Sequence, residues 1–344
     1  MKVKAKILFI SLLIVFSGFQ SVISQSKIQR LKEQIEYVSK DAKGIVGVAV
    51  KHIESGEELY INDDVYFPMA SVFKVPILVE VLYQVKEGNL SLNGEIEIKK
   101  TEQHLGSGLI AKLDVPGIKL SIKNLINLMM MISDNSATDI LLTKVGTDSV
   151  NKRMRELGIK SIIINRTCQH LILDYIGLDY EKYKNYSASE FRKLFQNIKN
   201  EEFKKIQQKA RKRFNTELKD VSTPRAMNTL LEKIFTKKII NENYCELIIS
   251  TMLKCDTGRN RLKGLLPSGT KVAHKTGTIG GTVNDAGIIY LPYNLGHIAI
   301  TVFTKETEAK QKEVENVIAL SLIHISEPTR PLYISYAVVC LKKK

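Results

Sequence analysis

Glycine and proline are scarce in this chain, 20 and 8 of 344 residues. That composition excludes collagen-like and low-complexity architectures, and neither an internal repeat nor a linker rich in these residues interrupts the chain. Histidine is scarcer still. The six are scattered without ligand spacing, which excludes a metal-dependent hydrolase pattern, and no metal or other cofactor is expected. The four cysteines do not read as a disulfide framework. Cys245 and Cys255 stand at the two ends of a helical stretch, and ten residues of helix span about 15 Å, well beyond the roughly 7 Å reach of a bridged pair. Cys168 is expected to be free and carries no sequence sign of activation, so a cysteine nucleophile is disfavoured. Cys340 lies in a doubtful tail.

Long apolar runs are also lacking. The longest, Ile7 to Phe19, follows Lys2, Lys4 and Lys6 and precedes the small residues Val22-Ile23-Ser24. It is too short and wrongly flanked for a stable membrane span, and residues 1–24 read as a secretion signal. The mature chain is then expected to start near Gln25, in a bacterial periplasm or outside the cell. Removing those three lysines lowers the net charge from +15 to +12. The densest basic run, Phe203 to Phe214, has neither interleaved aromatics nor a base-reading motif. It is expected to be a solvated helix face rather than a nucleic-acid site.

What the chain does contain is 44% hydrophobic and 25% charged residues, enough for a large core. Ile28 to Val38 has a helical stripe, and Gly44 to Ile61 alternates around Glu54-Ser55-Gly56 like a hairpin. Helices are expected from Ser71 to Val85, Ile122 to Ile132, Ala137 to Val145 and Val150 to Leu157. Asn165 to Tyr186 is polar, aromatic and aperiodic, and is expected to be a long functional loop. Three charged helices should follow near Glu190 to Asn197, Glu202 to Lys212 and Pro224 to Phe235. Lys271 to Thr276, Gly281 to Leu291 and His297 to Thr304 read as strands, with a last helix from about Glu306 to Leu320. Strands at both ends and helices between them predict an α/β (α+β) fold: one antiparallel sheet flanked by helices, plus an all-helical lobe over about 70–225. From residue 321 the pattern breaks at Pro328 and Pro331. The segment 321–344 resembles a translated sequencing adaptor and is expected to be foreign to the fold, leaving a catalytic domain over 25–320.

Three short motifs carry chemistry. Ser71-Val-Phe-Lys74 puts a lysine one helical turn from a serine, where it can take the hydroxyl proton. At a helix start, Ser71 also has unpaired backbone N–H groups beside it for an oxyanion. Ser-x-x-Lys recurs at Ser24, Ser149 and Ser268, so alone it is weak. Ser133-Asp134-Asn135, between two apolar helices, fits a proton relay by Ser133 and amide binding by Asn135, and equally a helix cap. Lys275-Thr276-Gly277-Thr278, on a strand edge, suits a carboxylate-bearing substrate, with Gly277 permitting close backbone approach.

In this order the three motifs resemble those of class A β-lactamases and penicillin-binding proteins. The resemblance to class A β-lactamases runs from about Ile28 to Leu320. It includes Gly106-Ser-Gly-Leu109, Thr223-Pro-Arg-Ala-Met227, Thr257-Gly-Arg-Asn-Arg-Leu262 and Asn284-Asp-Ala-Gly287. It implies a β-lactamase/transpeptidase-like fold in which Ser71 is acylated and Lys74 helps remove its proton. It further implies that Ser133 protonates the leaving nitrogen, Asn135 binds the side-chain amide, and Lys275, Thr276 and Thr278 hold the carboxylate. The oxyanion hole maps to the N–H groups of Ser71 and Thr278. One family element is missing: the Glu-x-x-Leu-Asn motif whose Glu activates the deacylating water. Counting from Ser133 puts that position on Gln169, whereas aligning Arg166 puts it on Cys168. His170, Asp174 and Glu181 are candidate substitutes. A basic helical insertion, roughly Glu190 to Val221, is a second departure. The expected activity is hydrolysis of a β-lactam amide by a monomer, slowed by the missing Glu. The alternatives are a penicillin-interactive wall D,D-peptidase and a non-hydrolytic penicillin-binding or sensor module.

Overall fold

The computed structural model describes residues 28–198 and 201–323. The expectations for the leader, for Cys340 and for the tail beyond residue 323 fall outside those residues. Helix α1 (28–39) leads into the hairpin β1 (Ile45–His52) and β2 (Glu58–Ile61), paired from Val48–Ile61 to Lys51–Glu58. The short strand β3 (Phe67–Pro68), a 3-10 turn (Ala70–Phe73) and α2 (Lys74–Lys86) follow. Strands β4 (Glu95–Glu97) and β5 (Lys119–Ser121) pair ahead of α3 (Ile122–Met131), α4 (Asn135–Val145) and α5 (Thr147–Glu156). Then come β6 (Ile162–Ile163), α6 (Cys168–Ile176), α7 (Tyr180–Tyr183), α8 (Ala188–Asn197), α9 (Glu201–Thr216) and β7 (Val221–Ser222), with β7 pairing to both β3 and β6. Helices α10 (Pro224–Phe235) and α11 (Glu242–Leu253) precede β8 (Val272–Ile279), β9 (Thr282–Tyr290), β10 (His297–Lys305) and α12 (Gln311–Ile323).

The main sheet has the order β2-β1-β10-β9-β8 and is antiparallel throughout. Strands from both ends of the chain therefore lie side by side, as the order of elements requires. Successive strand residues face opposite ways, and here both faces are covered. Ile298, Ile300 and Val302 pack with Leu31 and Ile35 of α1 and with Val314 and Val317 of α12. Ala299 and Phe303, on the other face, join the core of the helical block. Helix α2 runs through that block with every residue from Val75 to Leu82 buried, which is why its sequence is apolar all round rather than striped.

The loop expected over 165–186 is more helical than its aperiodic sequence suggests. Thr167 caps α6 by accepting from His170 N, Gly177 ends it at φ 79°, and Asp179 caps α7. The last helix starts at Gln311, five residues later than expected. Cys168, Cys245 and Cys255 are free and buried. Among the described residues, no helix is long and apolar enough to cross a membrane.

Candidate active site

Ser71 sits in the 3-10 turn ahead of α2, half-buried on the wall of a cavity of about 320 Å³. Two features hold that turn. Asn284 of β9, fully buried, donates from Nδ2 to Pro68 O (2.8 Å) and Met69 O (3.1 Å), while its Oδ1 accepts from Thr304 N at 2.9 Å. Strand β8 crosses so close that a Cβ on Gly277 would lie 2.5 Å from Met69 O and 2.9 Å from Ser71 N, so no larger residue fits there. Ala70 is forced to φ 45° just before the serine, backbone strain of about 1–3 kcal/mol that the packing must hold in place.

Lys74 is fully buried. Its Nζ donates to Ser133 O (2.7 Å), Ser133 Oγ (3.1 Å) and Asn135 Oδ1 (2.8 Å), and burial pushes its pKa down. Lys275, equally buried, donates to the same Ser133 Oγ (3.0 Å) and to Thr276 O (2.9 Å). Burial brings its pKa to about 7, with the nearby Lys74 charge adding to the fall. Ser133 Oγ thus accepts from two lysines, which occupies both lone pairs and leaves its own proton to donate into the cavity. Ser133 is held at φ 60°, a second strained residue of the site.

Asp134 takes the capping role that the sequence left open for the whole Ser-Asp-Asn motif. Its carboxylate accepts from Ala137 N at the start of α4, and from Leu109 N and Ile110 N across the cavity wall. Capping and chemistry are therefore divided: Asp134 caps, while Ser133 and Asn135 line the cavity. Asn135 Nδ2 donates one proton to Leu105 O at 2.8 Å, leaving a second for an incoming acceptor.

Thr276, Gly277 and Thr278 line the opposite wall. Lys275 acts on it from beneath, through Ser133. Arg261, whose role its sequence context does not reveal, is largely buried and belongs to this wall. It donates to Gly277 O (3.0 Å), Asn284 O (2.8 Å) and Thr278 Oγ1 (2.6 Å), and pairs with Glu315 at 3.1 Å. With Thr278 Oγ1 accepting from Arg261, its own proton is free for an anion in the cavity. The exposed Arg259 two residues earlier pairs with Asp256, so composition could not tell the two arginines apart.

An ion-pair clasp holds the loop in which the Glu-x-x-Leu-Asn motif was expected. Arg166 Nε pairs with Asp220 Oδ2 at 2.6 Å and its Nη1 with Asp174 Oδ2 at 2.7 Å, while Asn165 N and Arg166 N donate to Asp220 Oδ1. Two residues on, Cys168 lines the cavity and Gln169 does not: Gln169 Oε1 accepts from Leu105 N and its Nε2 donates to Tyr186 O. Asp139 Oδ1 accepts from Cys168 N at 2.5 Å, Asp139 Oδ2 accepts from Gln169 N at 2.9 Å, and His104 Nδ1 lies 2.6 Å from Asp139 Oδ2. Burial, and then the Asp139 charge, push the Cys168 thiol pKa well up, so it is neutral and no base. None of the three candidate substitutes lines the cavity. His170 stacks on Tyr180 with centroids 3.9 Å apart, Asp174 is held by Arg166, and Glu181 is exposed and paired with Lys184.

Comparison with known proteins agrees with this geometry. A family model described as the beta-lactamase enzyme family matches residues 30–323. Beta-lactamase VEB-1 of Pseudomonas aeruginosa is 32% identical over 93% of this chain and 96% of its own. The extended-spectrum beta-lactamase PER-1 of the same organism is 31% identical, over 90% and 89%. Among solved structures, TLA-3 extended-spectrum beta-lactamase superposes with a TM-score of 0.69 at 30% identity, covering 91% of this chain and 98% of that one. A beta-lactamase from Chitinophaga pinensis gives 0.68 at 30%, covering 85% and 96%. With its sheet, its cavity and its paired lysines in place, this chain belongs to the class A β-lactamase family.

Proposed function

We propose that this protein is a serine β-lactam hydrolase whose acyl-enzyme is hydrolysed slowly. The observation that carries the reading is the convergence of Lys74 and Lys275 on Ser133 Oγ at the wall of the cavity that also holds Ser71. Ser71 Oγ attacks the ring carbonyl as its proton passes to Lys74, which can take it once it has shed one of the three protons it donates, a loss that burial favours. The N–H groups of Ser71 and Thr278 hold the oxyanion. Ser133, fed by the two lysines, delivers a proton to the leaving nitrogen as the amide opens. Thr276 and Thr278 hold the substrate carboxylate with the charges of Lys275 and Arg261 behind them, and Asn135 holds the side-chain amide. Hydrolysis of the ester needs an activated water, and the neutral Cys168 thiol offers it no base. The enzyme acts as a monomer outside the cytoplasm after loss of a leader, where β-lactams arrive from solution.

The same thiol favours a second reading, in which the acyl-enzyme is the end point and the chain is a penicillin-binding wall peptidase or sensor. Intact-protein mass spectrometry over time, with a penicillin and a cephalosporin and with Ser71→Ala as control, separates the two. The expected result is an adduct on the wild type that decays over minutes and is absent from the mutant. An adduct that never decays selects the second reading, and no adduct on folded protein rejects both.

A further inference from the structure

Beneath the carboxylate end of the cavity a connected set of side chains backs Thr276, and the mechanism above uses none of the others. Thr276 Oγ1 is 2.6 Å from Thr257 Oγ1, and Thr257 Oγ1 is 3.2 Å from Cys255 Sγ. Both threonines line the cavity, whereas Cys255 is buried behind them. His274 precedes Thr276 by two residues on β8, so the two side chains leave the same face of the strand. Asp285 stands opposite Thr276 on β9, and its oxygens lie 2.9 and 3.0 Å from His274 Nδ1. The other ring nitrogen, Nε2, is buried with no hydrogen bond of ordinary geometry, and the ring's remaining interaction is with Cys255. Gly287 makes room for this ring, because a Cβ there would lie 2.6 Å from His274 Cβ.

Burial works against a charge on either His274 or Cys255, but each is outweighed. Asp285 raises the imidazole to about 9, and the imidazolium then draws the Cys255 thiol down to about 6. Cys255 is therefore a group that changes charge near neutral pH, at the end of a row of hydroxyls whose donor direction is free. Each threonine hydroxyl has a single proton to give. A Cys255 thiol donates to Thr257, which donates to Thr276, and the Thr276 proton points into the cavity. A Cys255 thiolate only accepts: Thr257 donates to sulfur, Thr276 donates to Thr257, and the cavity meets oxygen lone pairs instead of a proton.

We propose that the protonation state of Cys255 sets the direction of the Thr257–Thr276 relay, and so decides whether Thr276 donates to a substrate carboxylate. Cys255 is then a positioning residue for acylation. The inference rests on the carboxylate-bearing substrate proposed above. The charged groups bearing on Cys255 are His274 and Lys275 of β8, with Asp285 of β9 behind His274, and Lys263, whose Nζ donates to Cys255 O at 3.1 Å; Lys74 and Arg261 bear in turn on Lys275.

The test is the second-order acylation constant for benzylpenicillin from pH 5 to 8, followed by quenched intact-protein mass spectrometry on the full chain. Wild type, Cys255→Ser and Thr257→Val are compared. Serine keeps a neutral hydroxyl at every pH in the range, and valine interrupts the relay while keeping the thiol. Losing one hydrogen bond to the carboxylate lowers the wild-type constant about tenfold as the thiol ionises, through the half-saturation concentration and not the limiting rate. Both variants lack that step and keep only the fall due to Lys275, so the wild-type-to-variant ratio changes with pH. A ratio constant across the range overturns the relay. If Cys255→Ser fails to fold, Thr257→Val decides alone, and it also separates the relay from a direct effect of the thiolate on Lys275. No adduct on any of the folded proteins at any pH overturns the substrate reading, and the relay with it.

Discussion

Replacing Cys168 by Glu tests the account of slow turnover directly. The side chain at this position already borders the cavity, and its backbone N–H is fixed by Asp139, so a longer side chain starts from a held position in a packed wall. Two charges act on the new carboxylate. The Lys74 ammonium favours its ionised form and Asp139 opposes it, the same pair that act in these senses on the thiol. A general base is worth about 10²–10⁴ in rate, so deacylation of Cys168→Glu should accelerate by that factor while acylation is unchanged. Crowding a well-packed position costs about 1–3 kcal/mol of stability, which a thermal melt would register without loss of the fold.

The assay is stopped-flow hydrolysis of a chromogenic cephalosporin. Wild type should show a burst equal to the enzyme concentration followed by a slow steady state, and Cys168→Glu should lose the burst as the steady state rises. Cys168→Ala should keep the wild-type pattern, because a neutral thiol contributes nothing to the step. Wild-type turnover in a folded Cys168→Glu would refute the reasoning, as would a large drop in Cys168→Ala, which would show the thiol at work.

Two further outcomes follow from the geometry. Arg166→Ala removes one partner of a buried ion pair and leaves Asp220 uncompensated, at a cost of about 3–5 kcal/mol. Thermal unfolding should fall by several degrees, and an unchanged melt would mean that the clasp does not hold the loop. Acylation by carboxylate-bearing β-lactams should weaken as pH rises through about 7, because Lys275 is charged below that pKa and neutral above it. A profile that rises or stays flat from pH 6 to 8 in Cys255→Ser, where the relay is silent, would contradict the assignment.

The fold was legible wherever burial imposes a period. The hairpin β1–β2, the three terminal strands and α2 to α5 follow from alternation or from apolar runs between stop signals. Helices α6 and α7 escaped because they are short and because α6 buries apolar residues on more than one side, Leu171 at the cavity and Leu173 against Tyr183 and Phe191, so no single stripe stands out. Their caps, Thr167 and Asp179, and the stop at Gly177 were the available signals. Arg261 and Asn284 stand in segments that carry the resemblance, but what each does was illegible for a different reason. Each acts by donating to backbone carbonyls brought from elsewhere in the chain, Gly277 and Asn284 for Arg261, Pro68 and Met69 for Asn284. No spacing rule marks a buried polar residue whose partners are main-chain atoms of other segments.

The ambiguity between Cys168 and Gln169 shows what decides a register that counting leaves open. Counting from Ser133 assumes that α4, α5 and the turns between them have the family's lengths, and one residue of difference moves the assignment. The Arg166 clasp makes no such assumption: it ties the loop to Asp220, and Thr167 then starts α6 at Cys168. Of the two, Cys168 borders the cavity, whereas the Gln169 amide is turned to Leu105 N and Tyr186 O. The residues that line it from α6 are Cys168, Leu171 and Ile172, the i, i+3, i+4 set of one helical face. Gln169 belongs to the next face, where Leu105 and Tyr186 satisfy it. A one-residue slip would bring Gln169 to the cavity only by turning Leu171 away and breaking the cap at Thr167. Cys168 is the α6 residue with a titratable side chain on the cavity wall, which makes position 168 the place to test a carboxylate.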